Sequence, residues 1–172
     1  MVATASEARQ LHFVTGNESL IQSAKPLRFA GGCHSEHFAK IMNNQLNDET
    51  RQKLKDLSRA MLRLHKTLLD GEKANYEATN GKIQGTNAYL QLVLDDVNFS
   101  WLRKISALIA LIDEAVSVRR PASETDAQAL LNETQILLNF EDSDEDFNDK
   151  FQLALQNNSD AVLNHNDARS FL

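Results

Sequence analysis

Three side chains capable of chemistry, His65, Glu72 and Tyr76, fall at i, i+7 and i+11 within one long helical register. At ~100° per residue they share one strip of helix surface, at the edge of an apolar face where core meets solvent or a cleft. Asp113, beside the main apolar stripe of a later helix near Ser106 and Ile109, completes the set if it faces the same cleft. An imidazole, two carboxylates and a phenol gathered in this way can bind a metal, move a proton or hold a polar ligand. The bland alternative is structural: Glu72 pairs with a Lys or Arg, His65 makes one buried hydrogen bond, and Tyr76 packs its ring with the hydroxyl outward. Polar groups at the edge of a core are usually satisfied in that way.

Other constellations are incomplete. A carboxylate-bridged di-metal bundle needs Glu-x-x-His on two helices, and no histidine here has Glu at i−3. Cys33, His34 and His37 place three potential zinc ligands within five residues, but a structural zinc site takes four ligands, normally in two paired clusters. No resident metal or other cofactor is implied. There is no glycine-rich phosphate loop, Cys-x-x-Cys or Gly-x-Ser-x-Gly elbow. The acidic segment Glu141 to Asp149 lacks the glycine and terminal glutamate of an EF-hand at their offsets, so it reads as the solvated start of a helix. Trp101-Leu102-Arg103-Lys104 reads either as a recognition surface or as a core tryptophan beside two solvated cations.

The elements that must position these groups are helices. Leu54, Leu57, Met61, Leu64 and Leu68 recur at spacings of three and four, predicting a long first helix from Asn47 or Asp48 to Asn80-Gly81. Gly71 lies mid-pattern, where a kink or a close helix contact is expected. A second helix, capped by Thr86 or Asn87, runs to Leu94. A third runs from Phe99 to Val118, with Leu102, Ile105, Ile109, Ile112 and Val116 in one stripe widened by Trp101 and Leu108; it is expected to be the most buried helix and the spine of the bundle. Arg119-Arg120-Pro121 ends it. A fourth spans Ser123 to Phe140 with Ala127, Leu130, Thr134, Leu137 and Leu138 inward. A fifth buries Phe147, Phe151, Ala154 and Leu155, and Ser159 or Asp160 caps a last one containing Val162, His165 and Phe171. No strand pattern competes. The fold class is all-α, a bundle of about five to six helices with one long N-terminal helix.

Residues 1 to 41 differ from the rest, with no sustained period of 2 or 3.6. They read as a poorly ordered arm before a helical bundle domain over 42 to 172, with Met42 as a candidate translation start and a transit peptide as the competing reading. The early charges Glu7 and Arg9 argue against a Sec-type leader. The longest strongly apolar run, Ala107 to Ile112, is far short of the ~20 residues that span a bilayer. A net charge of −6 argues against wrapping nucleic acid, and a single cysteine, Cys33, suits a reducing compartment. The expectation is a cytoplasmic protein that engages neither membrane nor nucleic acid.

Several segments, Leu64-His65-Lys66-Thr67-Leu68-Leu69, Asn75-Tyr76-Glu77, Phe99-Ser100-Trp101-Leu102-Arg103-Lys104-Ile105-Ser106 and Ile112-Asp113-Glu114, together resemble a family of small uncharacterised bacterial proteins. Leu155-Gln156 followed by Ala161-Val162-Leu163-Asn164-His165 is similar to that family's ending. The resemblance covers roughly Met42 to Leu172. It implies a bacterial, cytoplasmic, all-helical protein and carries no catalytic role. Two functions follow as expectations: a non-enzymatic bundle that binds a protein partner or itself, or a small-molecule or metal-binding protein or enzyme built on His65, Glu72, Tyr76 and Asp113.

Overall fold

The computed structural model describes residues 45 to 172. The arm, Met42 and the Cys33 cluster therefore lie outside the described residues. Six α-helices follow in order: α1 (Asp48–Asn80), α2 (Thr86–Asp95), α3 (Leu102–Ala115), α4 (Glu124–Leu138), α5 (Glu145–Asn157) and α6 (Ser159–Arg169), with a 3-10 turn Val97–Phe99 ahead of α3. There is no strand among the described residues, only an isolated bridge between Gln45 and Ser123. The chain is an all-α bundle, as its periodicity predicts.

Helix α1 starts where the Asn47 side chain accepts from the Thr50 N–H at 2.7 Å, a cap worth about 1 kcal/mol. It stops at Gly81, whose φ of +84° suits glycine and whose N–H reaches the Glu77 carbonyl at 3.0 Å. Its expected leucine seam is buried, together with Thr50, Ser58 and Ala60. Glu124 at the start of α4 accepts from the Asn47 N–H and the Thr50 hydroxyl, tying the two helix beginnings together. Helix α4 begins with a capping box formed by Ser123 and Asp126.

Several expectations are corrected. Helix α3 is dense in buried positions, but the spine is α1, which packs on α3, α4, α5, α6 and the 3-10 turn. Helix α3 starts at Leu102 rather than Phe99, because the Asp96 side chain accepts from the Asn98 N–H and closes a turn that carries Phe99 into the core. It ends at Ala115, whose carbonyl accepts from the Ala122 N–H at 3.0 Å. Helix α2 is preceded by Gly85 at φ +88°, not by a side-chain cap at Thr86 or Asn87. In α4 Leu137 and Leu138 are buried as expected, but the leucine buried a turn earlier is Leu131, leaving Leu130 half-buried; Ala127, Leu131, Thr134 and Leu138 form the i, i+4, i+7, i+11 stripe. In α5 only Phe147 and Phe151 are buried, with Ala154 and Leu155 half-covered at the edge of the core. Helix α6 is capped by Asn158 rather than Ser159 or Asp160, and it buries Ala161, His165 and Ala168 while Val162 faces out. Helix α6 packs extensively on α1 although two of its three buried side chains are alanines, a fit that hydrophobicity alone does not reveal.

An aromatic cluster joins the last three helices to the start of α3. Phe151 lies 5.2 Å from Phe140, 5.6 Å from His165, 5.7 Å from Phe147 and 6.3 Å from Trp101, between ring centroids. Phe140 follows α4 at φ +61°, a left-handed conformation that L residues ordinarily avoid, and its ring is held against His165 and Phe151.

Candidate functional site

The strip on α1 has the surface position its spacing requires: His65, Glu72 and Tyr76 are all half-buried. Along the helix, however, they are strung out, because seven residues at 1.5 Å rise separate His65 from Glu72 by ~10 Å. Helix α3 runs antiparallel to α1, and two hydrogen bonds fix its register. Ser58 donates to the Asp113 carboxylate at 2.5 Å, and Ser106 Oγ lies 2.9 Å from His65 Nε2. Asp113 therefore sits level with Ser58, ~10 Å from His65 on the side away from Glu72. The expected gathering of the four groups in one cleft does not form.

Each group has its own neighbours. The Ser106 hydroxyl lies 3.2 Å from the Leu102 carbonyl; giving its one hydrogen to that carbonyl leaves its oxygen to accept from His65 Nε2–H. In this arrangement the imidazole is a donor, which is the wrong sense for activating the serine. Burial pushes the His65 pKa down, against the raising effect of the Leu102 carbonyl. Tyr76 packs its ring 5.9 Å from Phe99 and borders a shallow groove with Lys82, Ile83 and Asp95. Among the described residues, no group of three or more His, Cys, Asp or Glu side chains is placed to hold a metal ion.

Glu72 alone of the four faces a partly open cavity beside Trp101. A cavity of about 440 Å3 opens between α1 and α5, lined by Glu72, Trp101, Lys150, Leu68, Ala154 and Asn158 among others. Burial pushes the Glu72 carboxyl up from the usual carboxylate range, opposed by hydrogen bonding from Trp101 and by the charge of Lys150. Sequence reasoning found Glu72 but not Lys150 or Asn158, since partners on α5 and at the α5 to α6 junction carry no local spacing signal. The expected choice for Trp101 resolves toward the core: it is 6% exposed and packs against Phe147 and Phe151. Beside it, Lys104 pairs with Asp142 at 2.5 Å.

His165 is the buried titratable group of the core. Its Nε2 lies 2.8 Å from the Leu138 carbonyl, so that nitrogen carries the proton. Burial lowers its pKa, the Leu138 carbonyl works against that shift, and the charge of Arg169 adds to it. Because the unfolded chain takes up a proton near the ordinary histidine value of about 6.5 while the folded chain resists it, the unfolded state binds more protons between the folded and unfolded pKa values. Stability is therefore full above about pH 6.5 and erodes as pH falls toward the folded values of His165 and His65. Glu72 works in the opposite sense, since its raised pKa makes protonation favour the folded state. The melting temperature is expected to fall as pH drops from about 6.5 to 5.5, and to fall less in His165→Gln, whose amide can still donate to Leu138. An equally steep profile in the variant would assign the dependence to other groups.

No family model, curated protein or solved structure matches the chain. Among the described residues, no helix is long and apolar enough to cross a membrane.

Proposed function

We propose that the chain is a non-enzymatic interaction module of the bacterial cytoplasm that docks a basic amphipathic helix of a partner protein through α2. The observation that carries this reading is that α2 contains no buried residue. Its inner side, Tyr89, Leu92 and Val93, is half-covered by the core. Its outer side exposes Leu90 and Leu94 at i and i+4, 54% and 58% exposed, and Val97, in the 3-10 turn beyond the extended Asp96 that ends the helix, is 71% exposed. Such a row is an unusual use of apolar side chains unless something covers it. Its spacing suits an apolar helix face laid alongside.

Charge biases the partner. Asp95 and Asp96 stand between Leu94 and Val97 and outnumber the one cation beside them, Arg103, which donates to the Leu94 carbonyl at 2.7 Å; with a net charge of −6 over the chain, basic residues flanking the partner's apolar face meet complementary charge. The dispersed placement of His65, Tyr76 and Asp113 supports the non-enzymatic part of the reading, since no nucleophile, base and orienting acid converge there. The single cysteine supports a reducing compartment.

The test is titration of an amphipathic leucine and lysine peptide helix. The native chain is expected to bind it saturably and more weakly as salt rises. The Leu90→Ser/Leu94→Ser variant should bind at least about tenfold more weakly, because each leucine withdrawn forfeits about 1.5–3 kcal/mol of apolar burial. It should also keep the native melting temperature. Equal binding by the variant, or no binding by the native chain, would overturn the proposal.

A further inference from the structure

The cavity between α1 and α5 is built from two kinds of surface. Leu68, Ala154 and the half-exposed Leu153 make an apolar wall, and Glu72, Lys150, Asn158 and Trp101 place polar groups around it. Cavities of this size accept small molecules.

The polar groups divide by sign. Glu72 is a half-buried carboxylate that faces the Trp101 indole and feels the charge of Lys150, while the ion pair of Lys150 is with Asp146 at 2.7 Å. A partly desolvated carboxylate gains strongly from an ammonium placed against it. Asn158 spends its carbonyl oxygen on the Asp160 and Ala161 N–H groups, capping α6. Its Nδ2 donor is directed at α1, 3.8 Å from where a Cβ on Gly71 would stand. That spacing is ordinary contact, so close packing does not require glycine at position 71; its absent side chain leaves the wall open. Asn158 Nδ2, the Lys150 ammonium and the positive end of α6 all favour negative charge.

We propose that this cavity binds a small zwitterion of the hydrophobic α-amino acid class, with its ammonium on Glu72, its carboxylate on the Lys150 ammonium, and its side chain on Leu68, Leu153 and Ala154. The site is separate from the α2 docking row, and either can fail without the other.

Trp101 is the only tryptophan in the chain and lines the cavity, so its fluorescence reports occupancy. Titration with leucine is expected to give a saturable change. 4-Methylpentanoate, which lacks the ammonium, and leucinamide, which lacks the carboxylate, should each bind at least about tenfold more weakly. Glu72→Gln should weaken leucine binding by a similar factor while keeping the native melting temperature. Lys150→Met, on the cavity rim, provides the same comparison if Glu72→Gln does not fold. Absence of a saturable change with the native chain at millimolar leucine would overturn the proposal. So would unchanged affinity in the folded variants, or leucinamide binding as tightly as leucine.

Discussion

Phe151→Ala is expected to lower the unfolding free energy by about 3–5 kcal/mol. The side chain is fully buried and touches four rings, so its removal forfeits transfer energy and leaves a cavity that Trp101, Phe140, Phe147 and His165 cannot all collapse into. Phe140 adds to the effect. Its left-handed backbone is tolerated because its ring is held between Phe151 and His165, and strain of that kind persists only where packing enforces it. Urea unfolding with an unchanged m-value is the measurement. A loss below about 1 kcal/mol would show that the cluster is not what fixes α5 and α6.

Trp101→Ala should destabilise by a similar amount, about 3–5 kcal/mol, and the native emission should be blue-shifted because the indole is 6% exposed. Trp101→Phe separates the two roles of the side chain: it keeps most of the ring contact with Phe147 and Phe151 but removes the N–H beside Glu72. Its loss is expected to be smaller than that of the alanine variant, since most of the ring packing is kept and the half-exposed Glu72 carboxylate can turn to water. Since Trp101 and Phe151 are in contact, the double alanine variant should lose less than the two single losses combined. Strict additivity, or solvent-like emission from the native chain, would place Trp101 outside the cluster.

How far the molecule could be read from its sequence depended on whether the cause was local. The cap at Asn47, the stop at Gly81 and the seam from Leu54 to Leu68 are all set within one helix, and all are found in place. Leu131 was missed in favour of Leu130 because both are leucines one position apart, and only the neighbours of α4 decide which faces inward. The buried face of α6 escaped because Ala161 and Ala168 bury little area. At the candidate site, helical periodicity fixed the angle of His65, Glu72 and Tyr76 around α1 correctly. What decides whether they share a cleft is the register of α3, and that register rests on the Ser58 to Asp113 and His65 to Ser106 contacts between helices. Lys150 and Asn158 line the same cavity as Glu72 only through tertiary packing, which leaves no pattern along the chain.

The extensive pairing of α1 with α6 also has a consequence for how the chain is made. About 90 residues separate the end of the first helix from the end of the last, and at about 5–20 residues per second their synthesis takes several seconds or more. During that interval the side of the leucine seam that α6 will cover has no intramolecular partner on a nascent chain. Helices α3 and α4 emerge earlier and can shield the other side. The face around Arg63 and Thr67, which receives Asp167 and Asn164 of α6, is therefore the last part of α1 to be covered, and the part most exposed to chaperones while translation proceeds.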